Sequence, residues 1–280
     1  MPIALKNNAP QRVMTMWRNL MNNHVGLYDA CSKIGGLYRV LVDVDLTLVD
    51  SLSPWVEWFN ISNSKAAAEN MGCHDYPSEF QPITKECYMS HAGDLAILMR
   101  ERAHPAWLTR RVFVAGQWMD SPTGRDPMDW WRMPDLYSRM SPLPGAVEFL
   151  TNLKAALLQK FEQVEMVAVT KCEPEHERSK RQFTYHHFES LINGFVSTDE
   201  KHLLAGDVLI DDNPKYVEPC ALNNIFVIFV PQGNYEKLDL SNCEDMLYIK
   251  HVEGQNHFDF LNRNLDEVVN RLVSHYQYVR

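Results

Sequence analysis

YRVLVDVDLTLVDS, residues 38 to 51, decides how the rest of this chain is read. An apolar run from Tyr38 to Val42 stops at Asp43, Val44 and Asp45, with Thr47 close behind. Such a run reads as a buried strand, and it delivers two carboxylates, two positions apart, to the strand's end. In a parallel α/β sheet the carboxyl ends of the strands are where ligands bind, and carboxylates there have little packing to do. One carboxylate can attack a phosphorus atom while its neighbour moves a proton, so phosphoryl transfer is the first chemistry to consider. The plainer alternative is that Asp43 ends the strand while Asp45 and Thr47 make turn hydrogen bonds, as Asp and Thr often do.

The surrounding composition suits an ordinary globular protein. At 280 residues with 45% apolar side chains, the chain can bury one large domain or a core carrying an inserted second one. A formal charge of −9 argues against a broad nucleic-acid or membrane surface, so an anionic substrate has to be captured locally. The six cysteines, at 31, 73, 87, 172, 220 and 243, show no paired spacing and fit reduced thiols. No apolar run approaches the roughly 18 residues of a membrane span, and the first residues lack the order of a signal peptide. A soluble, cytoplasmic protein is expected.

Outward from the first strand, an N-terminal arm (1–36) carries an imperfect helical stripe over 10–34, which could pack on the core or mediate a homodimer. Ser53 and Pro54 read as a helix cap followed by a proline at the first helical position. From 52 to 139 the pattern holds helical patches (Ser64 to Met71, His91 to Arg102), several prolines and six of the seven tryptophans, and lacks a repeating strand–helix unit. That alternation resumes at Pro144 and Gly145, with a helical stripe ending near Phe161 and strands at 164–170, 194–197, 208–211 and 225–230. Helices are expected at about 174–189 and 265–276. The expected fold is α/β, a three-layer, mainly parallel Rossmann-like sheet formed by 37–51 and 140–280, with 52–139 inserted after strand one as a helical cap.

Three further features fall where phosphate chemistry needs them. MVAVT ends in Thr170, whose hydroxyl and backbone N–H could both donate to a phosphate oxygen. Lys201, in the loop entering the next strand, could offset charge on a nucleophile and on the transferring phosphate. DVLIDDNP puts Asp211 and Asp212 at another strand end, where adjacent carboxylates repel each other unless a cation or a proton relieves them. A hard cation such as Mg²⁺ could take Asp43, the backbone carbonyl of Asp45, Asp211, a phosphate oxygen and waters, with Asp212 beside it. Lys180 competes with Lys201 for the role of catalytic lysine. Cys172, His176, His186 and His187 cluster in sequence but fit no standard zinc spacing.

With these residues assembled, the chain resembles the haloacid dehalogenase superfamily of phosphatases, whose first motif has the form DxDxT after an apolar strand. The likeness implies that Asp43 is the nucleophile and Asp45 the general acid and base. Thr170, Lys201 and Asp211 with Asp212 would be the second, third and fourth motifs, and Mg²⁺ the cofactor. Leu46 stands where that family usually has glycine. SPLPGAVEFL (141–150), the spacing from Lys201 to the aspartates and GDVLIDD (206–212) look more narrowly like the 5′(3′)-deoxyribonucleotidase family, which implies hydrolysis of nucleoside monophosphates beneath a small helical cap.

Lys171, after Thr170, is then a candidate phosphate contact, and Trp130 and Trp131 are candidates for stacking on a base. Trp55 and Trp58 are expected chiefly to pack, and Arg132 and Arg139 could reach phosphate. The rival expectations are a phosphatase acting on a polynucleotide 3′-phosphate or a sugar phosphate, and a non-catalytic binding protein on the same fold.

Overall fold

The computed structural model describes residues 33–62, 82–86, 111–114, 117–120, 130–231, 246–249 and 256–280, with 111–120 as backbone alone. The N-terminal arm to residue 32 and the expected helical patches Ser64 to Met71 and His91 to Arg102 lie outside the described residues. The chain divides after Ile34 into two units, and the fold described is that of the second, Gly35–Arg280. Its elements in chain order are β1 (Ile34–Val42), α1 (Leu52–Ser62), β2 (Arg111–Val114), β3 (Gln117–Asp120), α2 (Ala146–Lys160), β4 (Phe161–Thr170) and α3 (Glu177–Phe188). They continue with β5 (Gly194–Ser197), β6 (Val208–Asp211), α4 (Val217–Leu222), β7 (Phe226–Phe229), β8 (Met246–Tyr248), α5 (His257–Arg263) and α6 (Leu265–Val279).

Six strands form one sheet in the order β5-β4-β1-β6-β7-β8. Val40, Leu41 and Val42 run parallel to Val208, Leu209 and Ile210, and Val208 to Asp211 run parallel to Phe226 to Phe229. The unbroken apolar runs are what such strands require, because both faces are covered. On one face Leu41, Val167, Val169, Leu209, Val227 and Phe229 pack with Val217 and Cys220 of α4. On the other, Tyr38 and Phe226 meet Tyr276 and His275 of α6. α2 lies against β4, α5 and α6, with Phe149 against Phe258 of α5. Each such fully buried side chain contributes about 1.5–3 kcal/mol. The result is the expected three-layer α/β fold with a parallel sheet.

The start of α2 shows the local logic. Gly145 sits at φ +78, where a Cβ would also come 3.2 Å from Phe258 Cβ. From there Phe149, Leu150, Leu153 and Leu157 form the buried stripe.

Three details correct the sequence-based expectations. Residues 52–139 are not helical alone, because β2 and β3 pair antiparallel with Val114 opposite Gln117. RVFV and QWMD, both carrying aromatic and apolar residues, are separated in sequence by Ala115 and Gly116 alone, a spacing that signals a hairpin. The start of α1 takes its side-chain cap from Asp50 rather than Ser53, since the Ser53 N–H and hydroxyl both donate to the Asp50 carboxylate at 3.0 and 2.7 Å. Finally, β8 and α5 have no counterpart among the expected elements. Among the described residues no helix is long and apolar enough to cross a membrane.

Strand order positions the site. From β1 the chain moves outward to β4 and β5, then returns to the other side of β1 as β6. The carboxyl ends of β4, β1 and β6 therefore stand side by side at the point where the winding reverses, the usual ligand crevice of such sheets.

Candidate active site

Asp43 leaves β1 with its N–H donating to the Ile210 carbonyl at 2.9 Å, which ties the first loop to β6. The chain then turns tightly, with the Leu48 N–H donating to Val44 O and the Leu46 N–H to Val49 O, both at 2.8 Å. The turn holds Leu46 at φ +57. Glycine adopts this conformation freely, whereas another L-residue does so at a cost of about 1–2 kcal/mol, so the departure at Leu46 leaves the turn intact and strained. The same turn brings the Thr47 hydroxyl to within 3.2 Å of Asp212 Oδ1, so Thr47 donates to an aspartate on another strand.

Two lysines divide the aspartates between them. Lys201, buried in the turn Lys201–Leu203, donates from Nζ to Asp43 Oδ1 and Asp211 Oδ2, each at 2.6 Å. Lys180, buried on α3, donates to the Asp45 carboxylate, to Thr170 Oγ1 at 2.8 Å and to the Lys171 carbonyl at 2.8 Å. The second oxygen of Asp45 accepts from the Tyr137 hydroxyl at 2.5 Å. Lys180 and Lys201 thus each meet a different carboxylate of the same loop. Thr170 Oγ1 accepts from Lys180, which leaves its hydroxyl hydrogen available to donate.

Burial and charge act in opposite directions on these groups. Burial raises the Asp45 carboxyl, but the Lys180 ammonium with the Lys180 and Tyr137 hydrogen bonds outweighs it and holds Asp45 below its ordinary range. Burial pushes Asp211 up to about 7 against the pull of Lys201, with Asp43 adding to the rise. Asp212 is pushed well up by burial and then by Asp211 and Asp43. Lys201 lies well above the usual lysine range despite burial, because Asp211 and Asp43 flank it.

Asp43, Asp211 and Asp212 bring ligand oxygens within 4.8 Å of one another, all three residues buried. Hard oxygen donors crowded this closely, with two carboxyls displaced upward, fit a hard divalent cation such as Mg²⁺. The carboxylate of Asp45 stands apart from this cluster, engaged by Lys180 and Tyr137. Among the described residues no second metal-type cluster occurs, so Cys172, His176, His186 and His187 do not converge.

A cleft of about 310 Å³ opens over these groups. Of the residues expected at the site, Asp43, Asp45, Thr170, Lys171, Trp131, Lys201 and Asp212 line it. Asp211 lies buried beneath. Trp130 is a correction: it is 5% exposed and set edge-on behind Trp131 at 4.6 Å between ring centroids, without lining the cleft. Lys171 reaches outward to Asp199 at 3.9 Å. Arg132 and Arg139 do not line the cleft, and Arg139 pairs at the surface with Asp135. Trp55 is buried, in keeping with packing.

Sequence reasoning missed the rim and the supports. Lys215 and Tyr216 line the cleft and both donate to Asp199, at 2.7 and 2.5 Å. His176, at the start of α3, also lines it. One ring nitrogen of His176 is bonded to the Trp131 carbonyl and the other accepts from the Glu173 N–H at 3.2 Å. Burial first, then Lys180, holds His176 below the usual histidine range. Tyr137 had no sequence signal: it is one aromatic among many, 92 positions from the carboxylate it meets.

A model of the family "5' nucleotidase, deoxy (Pyrimidine), cytosolic type C protein" matches residues 108–237. The match takes in Thr170, Lys201, Asp211 and Asp212 and begins after Asp43 and Asp45. Among curated proteins no relative was found. Solved structures overlap only partly. A candidate β-phosphoglucomutase of Bacteroides vulgatus is 20% identical at a TM-score of 0.46, over 93% of this chain and 98% of its own. A candidate β-phosphoglucomutase of Thermotoga maritima is 16% identical at 0.46, over 82% and 99%. A haloacid dehalogenase-like family hydrolase of Xanthomonas campestris is 14% identical at 0.41, over 86% and 97%. Overlaps of this size say nothing about activity. With the nucleotidase match covering the later motifs and the Asp43–Asp45 loop completing the cleft, the chain resembles the haloacid dehalogenase phosphatases and, among them, the deoxyribonucleotidase family.

Proposed function

We propose that the chain is a Mg²⁺-dependent phosphomonoester hydrolase acting on a (deoxy)nucleoside 5′-monophosphate through a covalent phosphate on Asp43. The observation that carries this reading is the placement of Asp43 between Lys201 and the Asp211–Asp212 pair, with Asp45 two residues on in the same cleft. Asp43 Oδ2 would attack phosphorus as the ester bond breaks; Asp45, ionised at rest beside Lys180, would take up a proton from water as the negatively charged substrate enters the cleft and would pass it to the leaving alkoxide. Asp45 would then take a proton from the water that cleaves the aspartyl-phosphate, releasing phosphate and restoring Asp43. Thr170 and Lys201 would offset charge on the transferring group. Asp43, Asp211 and Asp212 would hold Mg²⁺, which when bound supplies charge neutralisation to the phosphate oxygens.

The nucleotide preference rests on the family match and on Trp131, whose flat ring on the cleft wall could stack on a base, a contact worth about 1–3 kcal/mol. Free thiols at Cys172 and Cys220 suit a reducing, cytoplasmic setting.

The test is phosphate release from ribo- and deoxyribonucleoside 5′- and 3′-monophosphates, sugar phosphates and a 3′-phosphorylated oligonucleotide, each with Mg²⁺ or EDTA. Mg²⁺-dependent turnover confined to nucleoside monophosphates is expected. Turnover only of the sugar phosphates or oligonucleotide would discard the nucleotide assignment, and no turnover of any would discard the hydrolase.

A further inference from the structure

Asp45 is held by two donors from different parts of the chain. Lys180 comes from α3, beside the carboxyl end of β4. Tyr137 comes from the short 3-10 turn Leu136–Arg139 and is 1% exposed, so its hydroxyl is committed to Asp45 Oδ1 at 2.5 Å rather than to solvent. The Tyr137 ring is itself fixed on three sides. It lies 5.4 Å from the His176 ring and 6.0 Å from Phe183, with the Lys180 ammonium 5.2 Å from its centroid.

The segment that carries Tyr137 also carries Trp131, whose carbonyl is bonded to His176. One short stretch, 130–139, therefore presents an aromatic wall to the cleft and a hydroxyl to the second aspartate of the loop. It is pinned to the region around α3 at both points.

We infer that Tyr137 is a positioning residue for Asp45, which fixes the carboxylate that handles protons and couples its placement to the Trp131 wall. This rests on the phosphatase reading for its catalytic consequence, while the Tyr137–Asp45 contact itself does not. The proton given to the leaving oxygen comes from the Asp45 carboxyl; the Tyr137 hydroxyl keeps its own. A misplaced Asp45 hurts in proportion to how much the leaving group needs that proton. An alkoxide needs it and a nitrophenolate hardly does.

The experiment compares wild type with Tyr137→Phe on a nucleoside 5′-monophosphate and on p-nitrophenyl phosphate, both with Mg²⁺. The expected result is a fall in kcat of about tenfold or more on the nucleotide, the scale of a lost hydrogen bond to a charged group, with KM little changed and p-nitrophenyl phosphate affected far less. Equal losses on both substrates, or none on either, would overturn the positioning role. A second measurement places 3-fluorotyrosine at position 137 and follows its ¹⁹F resonance with and without Asp45→Asn, which keeps the ring in place and needs no turnover. The resonance is expected to move when the carboxylate is replaced; an unmoved resonance would overturn the contact. If wild type hydrolyses no phosphomonoester, the phosphatase reading fails and the ¹⁹F measurement still decides whether Tyr137 holds Asp45.

Discussion

Lys201 and Lys180 are both buried ammonium groups that reach aspartates of one loop, yet their surroundings differ. Lys201 is shared between two buried carboxylates, Asp43 and Asp211, with Asp212 close by. Lys180 meets a single carboxylate, Asp45, whose side chain is 26% exposed to the cleft and takes a further hydrogen bond from Tyr137. The first corner gathers more negative charge than its lysine can balance, which suits a site that accepts a cation. The second corner is balanced at rest, which suits a group that must exchange a proton and return unchanged. On the proposed mechanism, the same two residue types would build an attacking corner and a proton-handling corner, according to how many carboxylates each lysine serves.

The sharpest way to break this comparison is to remove each aspartate. Asp43→Asn should cost about five orders of magnitude or more in phosphate release, the scale of losing a nucleophile. Asp45→Asn should cost about 10²–10⁴-fold, the scale of general acid–base catalysis. Equal losses, with both variants folded by circular dichroism, would show that the corners do not divide the chemistry.

Removing the lysines tests the energetics. Lys201→Met leaves Asp43 and Asp211 buried without their counter-ion and is expected to destabilise by about 3–5 kcal/mol in denaturant unfolding. Lys180→Met should cost less, about 1–3 kcal/mol, because water from the cleft and Tyr137 still reach Asp45. The reverse order would refute the assignment of the more crowded corner.

Mg²⁺ should discriminate between the corners as well. At about a hundredfold excess over its dissociation constant it should stabilise the folded protein by about 2.7 kcal/mol, read as a rise in melting temperature. Asp212→Asn should abolish most of that rise and Asp45→Asn should leave it. Loss of the rise in both variants would mean that Asp45 also holds the ion.

The smallest effect is on pH. His176 lies below its ordinary value when folded, so its contribution to stability is complete above about 6.5 and is lost as pH falls below that value. The neutral ring can donate to the Trp131 carbonyl and accept from the Glu173 N–H, and a protonated ring can no longer accept. Wild type should lose stability between pH 7.5 and 5 relative to His176→Gln, read in denaturant unfolding at the two pH values. An identical pH dependence in both proteins would remove His176 as the anchor of Trp131.

The comparison also explains what was legible in the sequence. Asp43, Asp45, Asp211 and Asp212 could be read because each follows an apolar run that must be a strand, and strand ends in a parallel sheet converge. Lys201 and Lys180 were visible as candidates, but their division of labour depends on side-chain reach across 158 and 135 positions, which no local pattern encodes. Tyr137, and the contact of His176 with Trp131, were hidden for the same reason. The β2–β3 hairpin did have a local signal, outweighed by the prolines and tryptophans around it. β8 is three residues long, too short to show a period.

The enclosure of Lys201 has a consequence for behaviour in salt. With its side chain 3% exposed between two carboxylates, dissolved ions cannot come between it and Asp43. The lysines at the mouth are different: the side chains of Lys171 and Lys215 are 63% and 48% exposed, and any attraction they exert on an arriving phosphate is screened over a Debye length of about 8–10 Å. Raising ionic strength should therefore raise KM while kcat stays nearly constant, so that salt slows the capture of substrate and leaves the chemistry it meets inside unchanged.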